Sequence, residues 1–151
     1  MKIILGSDHR GFALKEQIKE YLGTVLDVGA AIYDPEDDYV DYALKAVKAL
    51  SNDDKIILIC GSGHGMDMAA NRFLNIRAIL GFNLDVVKQG REHEDANCLI
   101  IPSDWTTRDQ AIELTNLFLN TPFSNEKRHL RRLEKLKNLK FEIWNLDLFL
   151  C

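Results

Sequence analysis

Residues 55–65, KIILICGSGHG, read as a buried strand that runs straight into a glycine turn. A continuous apolar run of this length, closed by glycine, is what a strand covered on both faces of a parallel sheet looks like. Working outward, four more short runs have the same character: 2–6 (KIILG), 24–28 (TVLDV), 76–80 (IRAIL) and 97–101 (NCLII). Helical spacing separates them. Leu14, Ile18 and Leu22 fall on one face of a helix over 11–22. Further helices are expected over 40–50, about 66–73, about 84–92, 107–119 and 128 to about 140. The stretch 29–39, with Gly29, Pro35 and several acids, reads as a loop. Strand and helix in alternation predict an α/β fold: a three-layer α/β/α sandwich around a five-stranded parallel sheet, strand order 2-1-3-4-5. No linker divides the chain, so residues 1–140 are expected to form one domain. The tail 141–151, FEIWNLDLFLC, is apolar and is expected to pack across a subunit interface.

Composition narrows the function. Of 151 residues, 46% are hydrophobic and 28% charged, which is globular rather than disordered. With 19 Lys+Arg against 23 Asp+Glu the net charge is −4, so no nucleic-acid partner is expected. No apolar run approaches the roughly 20 residues that span a bilayer, so no membrane partner is expected either. The charged Asp8-His9-Arg10 interrupts the N-terminus before a signal-peptide core could form. Cys60, Cys98 and Cys151 make neither a C-x-x-C pair nor a disulfide framework, which points to a reducing, cytoplasmic setting. No two histidines have H-x-x-x-H spacing, so no metal site is expected.

In open α/β sheets, ligands bind beyond the carboxyl ends of the strands at the switch in strand order, here between strands one and three. The loops meeting there are Ser7-Asp8-His9 and Cys60-Gly61-Ser62-Gly63-His64-Gly65. Glycines at 61, 63 and 65 let backbone amides approach a ligand, and the helix that follows favours an anion. The same turn reads equally as a tight strand-to-helix connection. It is not a dinucleotide fingerprint, since position 66 is Met, nor a P-loop, since G-K-[ST] is missing. Cys60 likewise reads two ways. A thiol beside a helix N-terminus has its pKa lowered, while a lone cysteine is more often a buried apolar residue. Arg128 and Arg132, four apart, are either a phosphate clamp or a solvated helix face.

Several stretches, in order, resemble one known family. They are Gly6-Ser7-Asp8-His9-Arg10-Gly11-Phe12, Asp41-Tyr42-Ala43, Ile59-Cys60-Gly61-Ser62-Gly63, Ala69-Ala70-Asn71-Arg72, Arg91-Glu92-His93, Asp95-Ala96-Asn97, Thr121-Pro122-Phe123 and Arg128-His129 with Arg131-Arg132. The sequence is similar to the ribose-5-phosphate isomerase B and galactose-6-phosphate isomerase subunits. The resemblance implies an aldose–ketose isomerase that works through an enediolate without metal or organic cofactor. It implies that Cys60 is the general base, that Ser62 assists transfer between the two oxygens, and that His93 opens the sugar ring. It further implies a substrate- and phosphate-binding set of Asp8, His9, Gly61, Gly63, His64, Gly65, Glu94, Arg128 and Arg132. The expected ligand is a sugar phosphate. The expected assembly is a homodimer or a dimer of dimers with its site at the subunit interface.

The chain departs from the family pattern where Glu94 replaces a usual Asn, Asp104 a frequent Arg, and Val40 a frequent Pro. His64 is a further departure. Each new carboxylate adds negative charge near the substrate. Two unit charges at about 5 Å, with an effective dielectric of about 20, repel by roughly 3 kcal/mol. Arg108 is a candidate to restore the lost cation. The leading expectation is interconversion of ribose 5-phosphate and ribulose 5-phosphate. The alternatives are the same chemistry on a hexose 6-phosphate of the allose or galactose type, and a sugar-phosphate-binding relative without turnover.

Overall fold

The structure, a computed structural model, describes residues 1–138. The expected interface tail 141–151 and Cys151 lie outside the described residues. Five strands are present: β1 (Ile3–Ser7), β2 (Leu26–Asp27), β3 (Lys55–Cys60), β4 (Ala78–Leu80) and β5 (Cys98–Pro102). Among the described residues six helices accompany them: α1 (Phe12–Leu22), α2 (Tyr39–Ala49), α3 (His64–Ala70), α4 (Leu84–Glu94), α5 (Arg108–Asn120) and α6 (Lys127–Lys137). None of these helices is long and apolar enough to cross a membrane.

All four strand pairings are parallel. Side chains alternate along β3, so Ile56, Leu58 and Cys60 join one core with α2 and α3. Ile57 and Ile59 join the other, with Leu14 and Ile18 of α1, Val87 of α4, and Leu114 and Phe118 of α5. The result is the expected three-layer α/β/α sandwich.

The strand order is 2-1-3-5-4, which corrects the expected 2-1-3-4-5. The last two strands are exchanged for a physical reason. Every residue of β5, CLIIP, is buried, as a strand with a neighbour on each side requires. β4 has only three residues, all half-buried, and takes the edge. The chain therefore crosses from β3 to the rim and returns to fill the gap.

At the rim the Asn71 side chain stands in for a missing strand. Its Oδ1 accepts from the Ala78 amide at 2.9 Å, and its Nδ2 donates to the Ala78 carbonyl at 3.1 Å.

The exchange leaves the switch point between β1 and β3 in place. Ser7 is level with Ile59, and Cys60 with Pro102, so the ends of β1, β3 and β5 open onto one surface. Two further devices set the lower end of the sheet. α4 stops at Asp95, which adopts φ 45°, and the Asp95 carboxylate joins Arg91 at 3.0 Å and Arg77 at 2.8 Å. α6 packs against α4, with the Ser124 amide donating to the Glu92 carbonyl at 3.0 Å.

Candidate active site

The site residues read from the sequence fall into two groups at opposite ends of the sheet. The upper group lies at the carboxyl ends of β1 and β3. Asp8 is buried, and its Oδ1 accepts the Gly11 amide at 3.0 Å, which fixes the loop entering α1. Burial pushes the Asp8 carboxyl up, against the pull of the Gly11 amide. His9 is half-buried. Its Nδ1 lies 2.6 Å from Asp37 Oδ1, and its backbone amide donates to the same oxygen at 3.1 Å. Burial works to raise the Asp37 carboxyl, but the His9 ring and amide together hold it below its usual value. Asp37 comes from the acidic loop before α2, far away in sequence, and nothing in the pattern marks it as a partner of His9.

Cys60 closes β3 and is almost fully buried. Burial pushes its thiol above the ordinary value, the Asp8 carboxylate adds to this, and the backbone amides of Met66 and Gly63 and the Arg10 cation pull the other way. The expected lowering of the thiol pKa is therefore corrected: loss of water around the sulfur outweighs the amides at the start of α3.

The turn itself is built around contacts that only glycine permits. Gly63 has φ 80°, and a side chain there would meet Leu80. Gly61 lies under the Arg10 guanidinium and Gly65 under the Tyr39 ring. Ser62 is half-buried, and its hydroxyl accepts the His64 amide at 3.4 Å; the His64 side chain is exposed. Arg10 and Tyr39 also belong to this surface. No motif marks either for it, because each covers a glycine that lies far from it in the chain.

The lower group contains His93, Glu94, Arg128 and Arg132. His93 lies in the last turn of α4, half-buried, and its ring stacks on His129 with centroids 4.4 Å apart. His129 is buried and hydrogen-bonds the Ser124 hydroxyl at 2.9 Å, so it supports His93 from α6. Its role as a support is legible only once α6 is placed against α4. Glu94 is exposed and makes no ion pair among the described residues. Arg128 is exposed and pairs with Glu126 at 2.8 Å; Arg132 is exposed.

The two groups do not meet within one chain. The five residues of β5 span roughly 13 Å, with Pro102 level with Cys60 at one end and the α4 terminus feeding Cys98 at the other. His93 and Cys60 therefore lie at opposite ends of the sheet, because α4 runs antiparallel to the strands.

The two departures also resolve differently. Asp104 receives Arg10 Nη2 at 2.5 Å, so its charge is balanced within the chain. Arg108 was the expected compensating cation, yet its ion pair is with its neighbour Asp109 at 3.4 Å. Among the described residues, no three His, Cys, Asp or Glu side chains gather as a metal site. Cys60 and Cys98 are free thiols.

Known proteins resemble the chain along most of its length. The family model described as Ribose/Galactose Isomerase matches residues 3–136. A probable ribose-5-phosphate isomerase B from Mycoplasma genitalium is 39% identical over 141 residues, covering 89% of this chain and 92% of the relative. A ribose-5-phosphate isomerase B from Mycolicibacterium paratuberculosis is 34% identical over 142 residues, covering 90% and 89%. Among solved structures, ribose-5-phosphate isomerase B from Mycoplasma genitalium with bound ribulose 5-phosphate superposes with a TM-score of 0.86 at 35% identity, covering 90% of this chain and 93% of that one. The enzyme of the same name from Anaplasma phagocytophilum gives 0.85 at 38% identity, covering 89% and 95%.

Proposed function

Because the chain belongs to the ribose/galactose isomerase family, we propose that it interconverts ribose 5-phosphate and ribulose 5-phosphate at a site built by two copies of itself. It is an aldose–ketose isomerase of the ribose-5-phosphate isomerase B type, the name carried by its relatives across nearly their whole length. The observation that carries the mechanism is Cys60 at the mouth of the glycine turn, beside Asp8 and His9.

In this mechanism the Cys60 thiolate takes the proton from C2 of the open-chain aldose. The electron pair left on carbon moves into the C1 carbonyl, giving an enediolate. Backbone amides of residues 61–65 face the developing oxygen charge, and Ser62 passes the proton between O1 and O2. Cys60 then returns its proton to C1. A positioned base of this kind contributes about 10²–10⁴ in rate. His9 holds the phosphate on the Cys60 side. The partner copy supplies its α4 and α6 end, where His93 opens the ring and Arg128 and Arg132 add cations for the phosphate. Anchoring the remote phosphate fixes C1 and C2 against the base.

Two features support the pairing of copies. The site halves lie at opposite ends of one chain. Beside Gly65, moreover, an apolar groove lined by Tyr39, Val40, Leu44, Met68 and Phe73 offers a second copy a surface continuous with the site. The first test is a coupled isomerase assay on ribose 5-phosphate with Cys60→Ala alongside the wild type. Loss of about 10²–10⁴ in kcat supports the reading. A folded wild type with no turnover overturns it. Glu94 favours testing hexose 6-phosphates in the same assay, since a carboxylate accepts from sugar hydroxyls where an amide would also donate. The ratio of kcat/KM between the two sugars decides the substrate.

A further inference from the structure

Arg10 follows His9 in the loop after β1, and its side chain turns back across the glycine turn. A Cβ built on Gly61 would fall 2.5 Å from Arg10 Nε and 2.6 Å from Cζ, so the guanidinium rests on the backbone one residue past Cys60. Asp104, two residues beyond β5, holds it there through Nη2 at 2.5 Å. The backbone repeats the tie. The Asp104 amide donates to the Gly61 carbonyl at 3.1 Å, and the Ser103 amide to the Cys60 carbonyl at 3.0 Å. The Ser103 hydroxyl donates to the Arg10 carbonyl at 3.1 Å. Three strand ends are thereby locked around one cation.

The Arg10–Asp104 pair is solvent-facing, with side chains 56% and 32% exposed. A guanidinium has five N–H donors, and Asp104 is the only protein side chain that Arg10 reaches among the described residues. The other charged groups on this surface are committed or negative. Asp8 is buried against the Gly11 amide, and His9 Nδ1 is held by Asp37, which leaves only Nε2 of that ring for an anion. Within its own chain, an anion arriving beside Cys60 therefore meets one fixed permanent cation among the described residues, already shared with a carboxylate.

We propose that Arg10 is a further substrate-binding residue, donating to an anionic oxygen of the sugar phosphate beside Cys60. Asp104 is its positioning residue: it fixes the guanidinium over Gly61 and competes with the substrate for its donors. The nature of the ligand rests on the isomerase reading; the charge arrangement does not.

The test separates the two. Iodoacetate and iodoacetamide attack the same thiolate, but only the first carries charge. Their rate ratio at Cys60 therefore cancels the thiol pKa and reads the field an approaching anion feels. Peptide mass mapping keeps Cys60 distinct from Cys98 and Cys151. Arg10→Met is expected to lower the ratio about fourfold, and Asp104→Asn, which can still accept from Arg10, to raise it about as much. KM for ribose 5-phosphate follows in the opposite sense, rising in Arg10→Met and falling in Asp104→Asn. A ratio that Arg10→Met leaves unchanged overturns the proposal. So does a shift of both variants in one direction, as simple loosening of the loop would give. If the wild type fails to isomerise ribose 5-phosphate, the functional reading falls, and the alkylation ratio still decides the role of the pair.

Discussion

Cys60 is pulled in two directions, and burial wins. A thiol held up by lost hydration and by the Asp8 carboxylate is mostly protonated at neutral pH in the isolated chain. Its alkylation rate is therefore expected to rise with pH through a midpoint above the ordinary thiol value of about 8.5. Asp8→Asn, which can still accept the Gly11 amide, removes a repelling charge and should move that midpoint down. A pH series of iodoacetamide labelling measures both. At this scale the sequence points to the candidate residues because they cluster in loops that end strands. What it left out was environment. Desolvation of Cys60, the Asp37 carboxylate on His9 and the guanidinium on Gly61 all arise from residues brought together by folding. Arg108, four positions from Asp104, is the cation that sequence proximity offers. The cation that reaches it comes from the other end of the chain.

Among the elements, the exchange of β4 and β5 shows which sequence cue decides position in a sheet. Both segments follow helices and both contain apolar runs. Only 97–101 is apolar without a charge, whereas 76–80 is broken by Arg77, whose side chain reaches back to the Asp95 carboxylate at 2.8 Å. Strand length and charge placed β4 at the rim. The other rim is held by charge. Lys15 of α1, fully buried, donates to Asp27 Oδ2 at 2.8 Å and to the Ala30 carbonyl at 2.8 Å, and Lys19 reaches the same carboxylate oxygen at 2.7 Å. Burial works to raise the Asp27 carboxyl, but the two ammonium groups hold it below its usual value. Its contribution to stability is thus present above the unfolded carboxyl pKa of about 3.9 and is lost as pH falls through the lower folded value. Asp27→Asn should destabilise the fold by about 2 kcal/mol at neutral pH: Lys15 keeps Glu16 at 2.6 Å, but the carboxylate it shares with Lys19 is lost. The variant's deficit relative to wild type should shrink as pH drops below about 4. Urea unfolding across that range measures both effects.

For the whole molecule, two half-sites at opposite ends of one sheet make a strict prediction about mixtures. In a two-fold dimer, one site pairs Cys60 of the first copy with His93 of the second, and the other site the reverse. Cys60→Ala and His93→Ala homodimers should each be nearly inactive. Refolded together at equal amounts, half the dimers are hybrids, and each hybrid keeps one intact site. Activity should then return to roughly a quarter of wild type. A mixture as inactive as its parents would mean that both residues serve one chain.

The fold also has to survive its own rim. Any outermost strand presents bare amides and carbonyls that a neighbouring molecule can copy, and runaway stacking begins there. Asn71, by occupying both backbone groups of Ala78, acts as a dummy rung that ends the ladder. Replacing it with alanine removes no part of the reacting surface. The expected outcome is normal kcat in fresh protein, but faster growth of light scattering on storage or gentle warming. Asn71 would then contribute more to how long a concentrated solution stays clear than to how fast sugar is turned over.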